Sequence, residues 1–368
     1  MRSLGLSALA TLTALAAGAA AAQGRGSAAP DTARATFTVG TATAKRGETA
    51  YGTLVVPPNG DAGTSIDVAV VHGAKPGRIV AFIAGSHGTE YASVVALSRL
   101  IAKIDATRLN GTVIVAPLLN VASWEQMTVH VNPVDKKGMN ASYPGNPGGT
   151  QSERALDLVA RQIVEPADVV VDLHGGDLDE DLRPYSYWIR TGDAAQDSAS
   201  RALVMAFGLD HVILRDVDTK NAASTRSLSG YALARGKTTF VAEAGRSGLV
   251  LTPDVDALVN GSLNVLGALK LIDRSVKPLS SPTFITAGSR VAAEKGGMFF
   301  PSVARDTRVA KDQVLGYTTD YVGRKTGDIK SPVTGLVTFI RGVPSLWPGA
   351  TIVNVAEILT SVPPYKKP

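Results

Sequence analysis

Between residues 77 and 279 the apolar positions follow two alternating patterns. Short runs bounded by turn residues have the length of buried strands: RIVAFIAG (78–85), GTVIVAPLLN (111–120), ADVVVDLHGG (167–176), HVILRD (211–216) and KTTFVAEAG (237–245). Between them lie segments with three- and four-residue spacing. Val94, Leu97, Ile101 and Ile104 mark one helical face, and residues 153–164, 198–208 and 254–272 repeat the pattern. This alternation predicts an α/β fold, a mostly parallel or mixed sheet flanked by helices.

The flanks differ. Residues 23–76 read as a polar tail and a β lead-in of short alternating segments broken by Gly and Pro. Residues 121–150 have no regular period and are rich in Pro, Gly and Asn. A loop that long inside a compact domain is usually functional. From residue 280 to 368, beyond the linker SVKPLSSPT, helical spacing disappears and short strand-like runs alternate with Gly, Pro and Asp. That predicts a C-terminal all-β module.

The 368-residue chain is 45% hydrophobic and 19% charged, which supplies a sizeable core and excludes disorder of the body. Its net charge is +5, and no basic run interleaves with aromatics, which argues against nucleic acid as a partner. Residues 1–22 have a charged start at Arg2, an apolar middle and small residues at Ala20–Ala22. They read as a signal peptide with cleavage near Ala22/Gln23, which would place the mature protein in the periplasm or outside the cell without a membrane span; the competing reading is an uncleaved membrane anchor. The sequence leaves homo-oligomerisation open. With no cysteine, thiol chemistry and cysteine-held metals are excluded, and any metal must be held by His, Asp or Glu.

There are five histidines, so each matters. His87 and Glu90 follow the carboxyl end of the 78–83 run, inside GSHGTEY. A catalytic zinc commonly takes two His and one carboxylate. The competing reading is a helix start, with Thr89 or His87 as cap and Glu90 beside the positive helix end. His174 ends the 167–174 run, Glu243 ends the 237–243 run, and ligand sites in α/β sheets gather at such ends. Gly88, Gly175 and Gly176 allow close approach of backbone or substrate. Glu243 reads either as a general acid/base or as half of a structural ion pair. His72 and His211 read as ordinary strand-end residues.

The order HGTE, Asn-Pro-x-Asp, Met-Asn…Tyr-Pro-Gly, DLHGG and AEAG resembles the succinylglutamate desuccinylase/aspartoacylase family of the zinc carboxypeptidase superfamily, over roughly residues 36–360. The resemblance implies a zinc-dependent amide hydrolase. One Zn2+ would be held by His87, Glu90 and His174, with Glu243 as general acid/base and Asp172 supporting from behind. Asn140, Tyr143 and His130 fall in its substrate loop. Many members carry Arg after the Asn, to grip a substrate carboxylate, where this chain has Ala141. Either Arg183, Arg226 or Arg235 replaces it, with Arg235 added to the expected substrate residues, or the substrate lacks that carboxylate. Many members also carry Arg near the position of His130, placed to stabilise the developing oxyanion; His130 reads either in that role or as an ordinary polar loop residue.

The β module resembles the sandwich of lipoyl and biotinyl carriers, but its hairpin SPVTGLV has no Lys at the tip, so attachment of lipoate or biotin is not expected. The expected function is deacylation of a small N-acylated amino acid or amine. The alternatives are a carboxypeptidase acting on peptides or cell-wall fragments and a non-catalytic binding protein of the same fold.

Overall fold

A computed structural model describes residues 34–368. The signal reading of residues 1–22 lies outside the described residues.

Among the described residues the main sheet has nine strands. In spatial order they are Thr283–Ile285, His211–Asp216, Tyr185–Arg190, Thr238–Glu243, Val169–His174, Lys75–Ile83, Asn110–Ala116, Thr64–His72 and Glu48–Val56. The four central strands, Thr238–Glu243 through Asn110–Ala116, run parallel. Tyr185–Arg190 runs antiparallel to Thr238–Glu243, and the two N-terminal strands are also antiparallel, so the sheet is mixed.

Helices cover both faces: α1 (Tyr91–Ile101), α2 (Val121–Gln126), α3 (Gln151–Val159), α4 (Ala194–Phe207), α5 (Leu228–Ala234) and α6 (Thr252–Ala268). Strand alternation divides the core. Val80, Phe82 and Ala84 pack with α1, α4 and α6, whereas Ile79, Ala81 and Ile83 pack with α3 and α5. Removing a side chain such as Phe82 from water contributes about 1.5–3 kcal/mol.

Local chemistry sets the helix ends. Thr150 and Glu153 form a capping box on α3. The Asp193 carboxylate accepts from the amides of Ala195 and Gln196 to start α4. Gly208, at φ +101°, ends it.

The C-terminal region adds two antiparallel sheets around Phe299, Leu315, Val337, Ile352 and Val353. The regions read separately in the sequence interleave. Two strands of the lead-in belong to the main sheet, and Thr283–Ile285 forms its far edge. In return Glu180–Leu182, from the α/β part, pairs with Gly335–Arg341 of the module. That exchange seats the module against the carboxyl ends of the central strands.

Candidate active site

The parallel register brings three predicted positions to one edge. Glu243 lies opposite His174 on adjacent strands, and Ile83, just before GSHGTE, lies opposite Asp172. Two glycines shape the turn that presents His87. Gly85 has φ +64°, and a Cβ there would lie 2.8 Å from Leu118 Cα. A Cβ on Gly88 would lie 2.4 Å from the Trp124 amide nitrogen.

Glu90 stands between the two histidines. Its Oε1 is 2.6 Å from His87 Nδ1 and its Oε2 is 2.9 Å from His174 Nδ1. The Gly175 amide also donates to Oε2, at 3.2 Å. Burial disfavours the Glu90 carboxylate, but His174 and His87 beside it hold its pKa at about 2. Donor atoms of His87, Glu90 and His174 lie within 4.8 Å of one another. Two imidazoles and a carboxylate converging at a cleft form a donor set that fits Zn2+.

The far side of His174 is also held. Its Nε2 is 3.0 Å from Asp172 Oδ1 and 3.0 Å from the Asn140 side-chain amide. Asp172 Oδ1 has no directed hydrogen bond in this arrangement. Asn140 Nδ2 can only donate, so Nε2 accepts from it here; a metal on Nδ1 would shift the ring proton to Nε2, where Asp172 would receive it.

Glu243 is largely shielded from solvent. Burial pushes its pKa up to about 8. His174 opposes that shift, the charges of Glu90 and Glu180 add to it, and a 3.3 Å hydrogen bond from the Tyr185 hydroxyl opposes it. A carboxyl group tuned near neutrality suits proton transfer in both directions.

His130 adopts φ +62° and faces three carboxylates. Its backbone amide donates to Asp177 Oδ2 at 3.1 Å, and its ring reaches Asp177 at 3.2 Å, Asp179 at 3.7 Å and Glu180 at 3.9 Å. Burial opposes the imidazolium, but the Asp177 hydrogen bond and the neighbouring carboxylates push its pKa up to about 9. Its ring centroid is 5.6 Å from that of His87, so a positive charge stands beside the donor set.

A cleft of about 680 Å³ joins these groups. His87, Glu90, His130, Asn140, Asp172, His174 and Glu243 all line it. The module supplies a wall that includes Arg290, Phe339 and Thr351.

Three expectations change. Thr89 does not cap α1; its hydroxyl hydrogen-bonds the buried Asp177 instead, and Glu90 occupies the cap position. Tyr143 is 3% exposed, packs against Tyr231 with ring centroids 5.8 Å apart, and is absent from the cleft wall. Its apolar ring completes the core below the loop. Arg235, the residue that ends α5, stacks on Tyr231, 3.4 Å from the ring centroid, and is also absent from the cleft wall.

Among the other arginine candidates, Arg183 is tied to Asp210 and Asp306, while Arg226 lines the cleft. Glu180, Tyr185, Tyr187, Arg215 and Arg290 also line the cleft. The one signal of them in the sequence is the charged DLDED segment directly after DLHGG. His72 is buried against Thr112, with Nδ1 2.8 Å from Oγ1, and His211 contacts Arg183 and Asp210. Neither lines the cleft.

A carboxylate and two imidazoles at the carboxyl ends of parallel strands, with the half-buried carboxyl group of Glu243 nearby, define a candidate hydrolytic centre. Comparison with known proteins gives the family. Residues 76–269, more than half of the chain, match the succinylglutamate desuccinylase/aspartoacylase catalytic domain, and the chain belongs to that family of deacylases. It is 27% identical over 326 residues to the N-alpha-acetyl-L-2,4-diaminobutyric acid deacetylase of Halomonas elongata, covering 86% of this chain and 89% of that one.

Solved structures share the fold. A succinylglutamate desuccinylase from Silicibacter sp. TM1040 superposes with a TM-score of 0.77 at 19% identity, over 90% of this chain and 98% of the other. The product-bound ectoine utilization protein EutE (DoeB) of Ruegeria pomeroyi gives 0.75 at 21% identity, over 89% and 98%.

Proposed function

We propose that this protein is an exported zinc-dependent deacylase that hydrolyses the amide bond of a small N-acylated amino acid or amine. The observation that carries the reading is the convergence of His87 Nδ1, His174 Nδ1 and both Glu90 oxygens, with Glu243 on the adjacent strand end. His87, Glu90 and His174 would hold one Zn2+. When bound, it supplies Lewis-acid polarisation of the acyl carbonyl and acidifies water.

The remaining work falls to the chain. Glu243 takes a proton from the attacking water as the new C–O bond forms. It returns that proton to the leaving nitrogen as the C–N bond breaks, so the products are a carboxylic acid and an amine. The module wall restricts the cleft, which favours small substrates over chains and weighs against the carboxypeptidase reading. Retention of the full donor set and of Glu243 weighs against a non-catalytic binding protein.

The test is a panel of N-acyl compounds that includes N-acetyl-L-2,4-diaminobutyrate, chosen because the Halomonas elongata relative bears that name. Release of the acyl acid by zinc-loaded protein is expected. Exhaustive chelation should abolish it, and added Zn2+ should restore it. Glu243→Gln should lower kcat by about 10²-fold or more. Full activity in that variant, or in chelated protein, would refute the mechanism. Export predicts a mature N-terminus near Gln23, which sequencing of secreted protein checks.

A further inference from the structure

We propose that His130, Asp179 and Glu180 form a second metal site, built for one divalent first-row cation such as Zn2+. It shares no residue with the set formed by His87, Glu90 and His174, and it goes beyond the deacylase reading.

The donors come from two segments. His130 lies in the loop after α2, whereas Glu180 begins the short strand that pairs with the β module and Asp179 directly precedes it. One donor atom from each residue lies within 4.8 Å of the others. His130 Nε2 stands 3.7 Å from Asp179 Oδ1 and 3.9 Å from Glu180 Oε1. Those distances exceed hydrogen-bond reach, so neither carboxylate holds a proton on Nε2. They approach the roughly 3.4 Å that separates two ligand atoms held tetrahedrally about 2.1 Å from one ion.

The other polar atom of each side chain is already engaged. His130 Nδ1 faces Asp177 Oδ2 at 3.2 Å, the arrangement in which an outer carboxylate takes the ring proton and turns the lone pair of Nε2 toward a metal. Asp179 Oδ2 meets Arg341 Nη1 at 2.9 Å, and Glu180 Oε2 accepts from the Asp177 amide at 3.3 Å. The decisive atom is Asp179 Oδ1. Its residue is 6% exposed, and this oxygen has no hydrogen-bond partner among the described residues. A buried carboxylate oxygen is costly unless a proton donor or a cation meets it.

The frame is set before an ion arrives. The Gly342 amide donates to the Asp179 carbonyl at 3.0 Å, the Ser247 amide to the Glu180 carbonyl at 2.7 Å, and the His130 amide to Asp177 Oδ2 at 3.1 Å. His130 and Glu180 line the cleft, which gives an ion its way in. One imidazole nitrogen with two carboxylate oxygens suits Zn2+ or its first-row neighbours, whereas Mg2+ and Ca2+ favour oxygen alone. An ion bound there joins the loop after α2 to the strand that carries the module.

The experiment titrates metal-stripped full-length protein with Zn2+ by calorimetry and counts bound zinc by mass spectrometry after equilibrium dialysis. Wild type should hold two ions per chain. His130→Gln and Glu180→Gln should each hold one, because losing a ligand weakens binding by more than the ~10–100-fold that follows loss of an outer partner. His174→Ala, which breaks the other set, should keep one ion, and His174→Ala/His130→Gln should keep none. Asp179 is left intact because it also holds Arg341. Circular dichroism checks that each variant is folded.

A wild type that binds one ion, lost in His174→Ala, would overturn the inference and leave the deacylase reading standing. Two ions retained in both His130→Gln and Glu180→Gln would also overturn it, since the second ion then sits elsewhere. A single ion that survives His174→Ala and is lost in His130→Gln would support this site and count against the deacylase reading alone.

Discussion

Asp179→Asn tests how the β module is attached to the catalytic edge. Asp179 Oδ2 meets Arg341 Nη1 at 2.9 Å, and both residues are buried, at 6% and 2% exposure. The substitution keeps the shape and removes the counter-charge, which leaves a buried guanidinium uncompensated. Breaking one side of a buried pair costs about 3–5 kcal/mol. Arg341 keeps its bonds to the carbonyls of Ser345, at 2.7 Å, and Thr351, at 2.9 Å, and its guanidinium still faces the Trp347 ring. The lower end, about 3 kcal/mol, is therefore expected. At this chain length that corresponds to a fall in Tm of about 4 °C.

Thermal unfolding followed by tryptophan fluorescence and by circular dichroism measures the fall. The double variant Asp179→Asn/Arg341→Met removes both charges and should recover at least half of the loss. A single-variant shift below about 1 °C would refute the reasoning, as would a double variant no more stable than the single.

Further outcomes follow from the site. Asp172→Asn removes the carboxylate 3.0 Å from His174 Nε2, and zinc affinity, measured by chelator competition, should fall about 10–100-fold while the fold is retained. His130 has a folded pKa of about 9 against an ordinary 6.5, so its stabilising contribution is complete below about pH 6.5 and is lost as pH rises through about 9. The stability gap between wild type and His130→Gln, read from urea midpoints, should shrink between pH 6.5 and 10. With the side chain 42% exposed, that gap should stay under about 1 kcal/mol.

The strands bearing the site were legible because buried parallel strands have unmistakable apolar runs that end abruptly in polar residues. GSHGTE, DLHGG and AEAG each announce a strand end. The strand Tyr185–Arg190 was passed over because YSYWIR has neither a continuous apolar run nor strict alternation. Two of its tyrosines instead face the cleft, and their packing comes from segments remote in sequence. Tyr143 and Arg235 were expected at the substrate because they lie in or near promising segments. A loop's side chains divide between core and cleft according to how the chain folds back, which composition does not encode.

By itself the sequence determined the α/β layering, the residue types at three strand ends and the absence of thiol chemistry, because periodicity and residue chemistry are local properties. Only the tertiary structure decided that Glu90 bridges His87 and His174, that His130 gathers three carboxylates, and that Arg226 reaches across to Ala141. Those contacts join residues as many as 85 positions apart. Their existence depends on strand order and register, which are set by how the whole core packs.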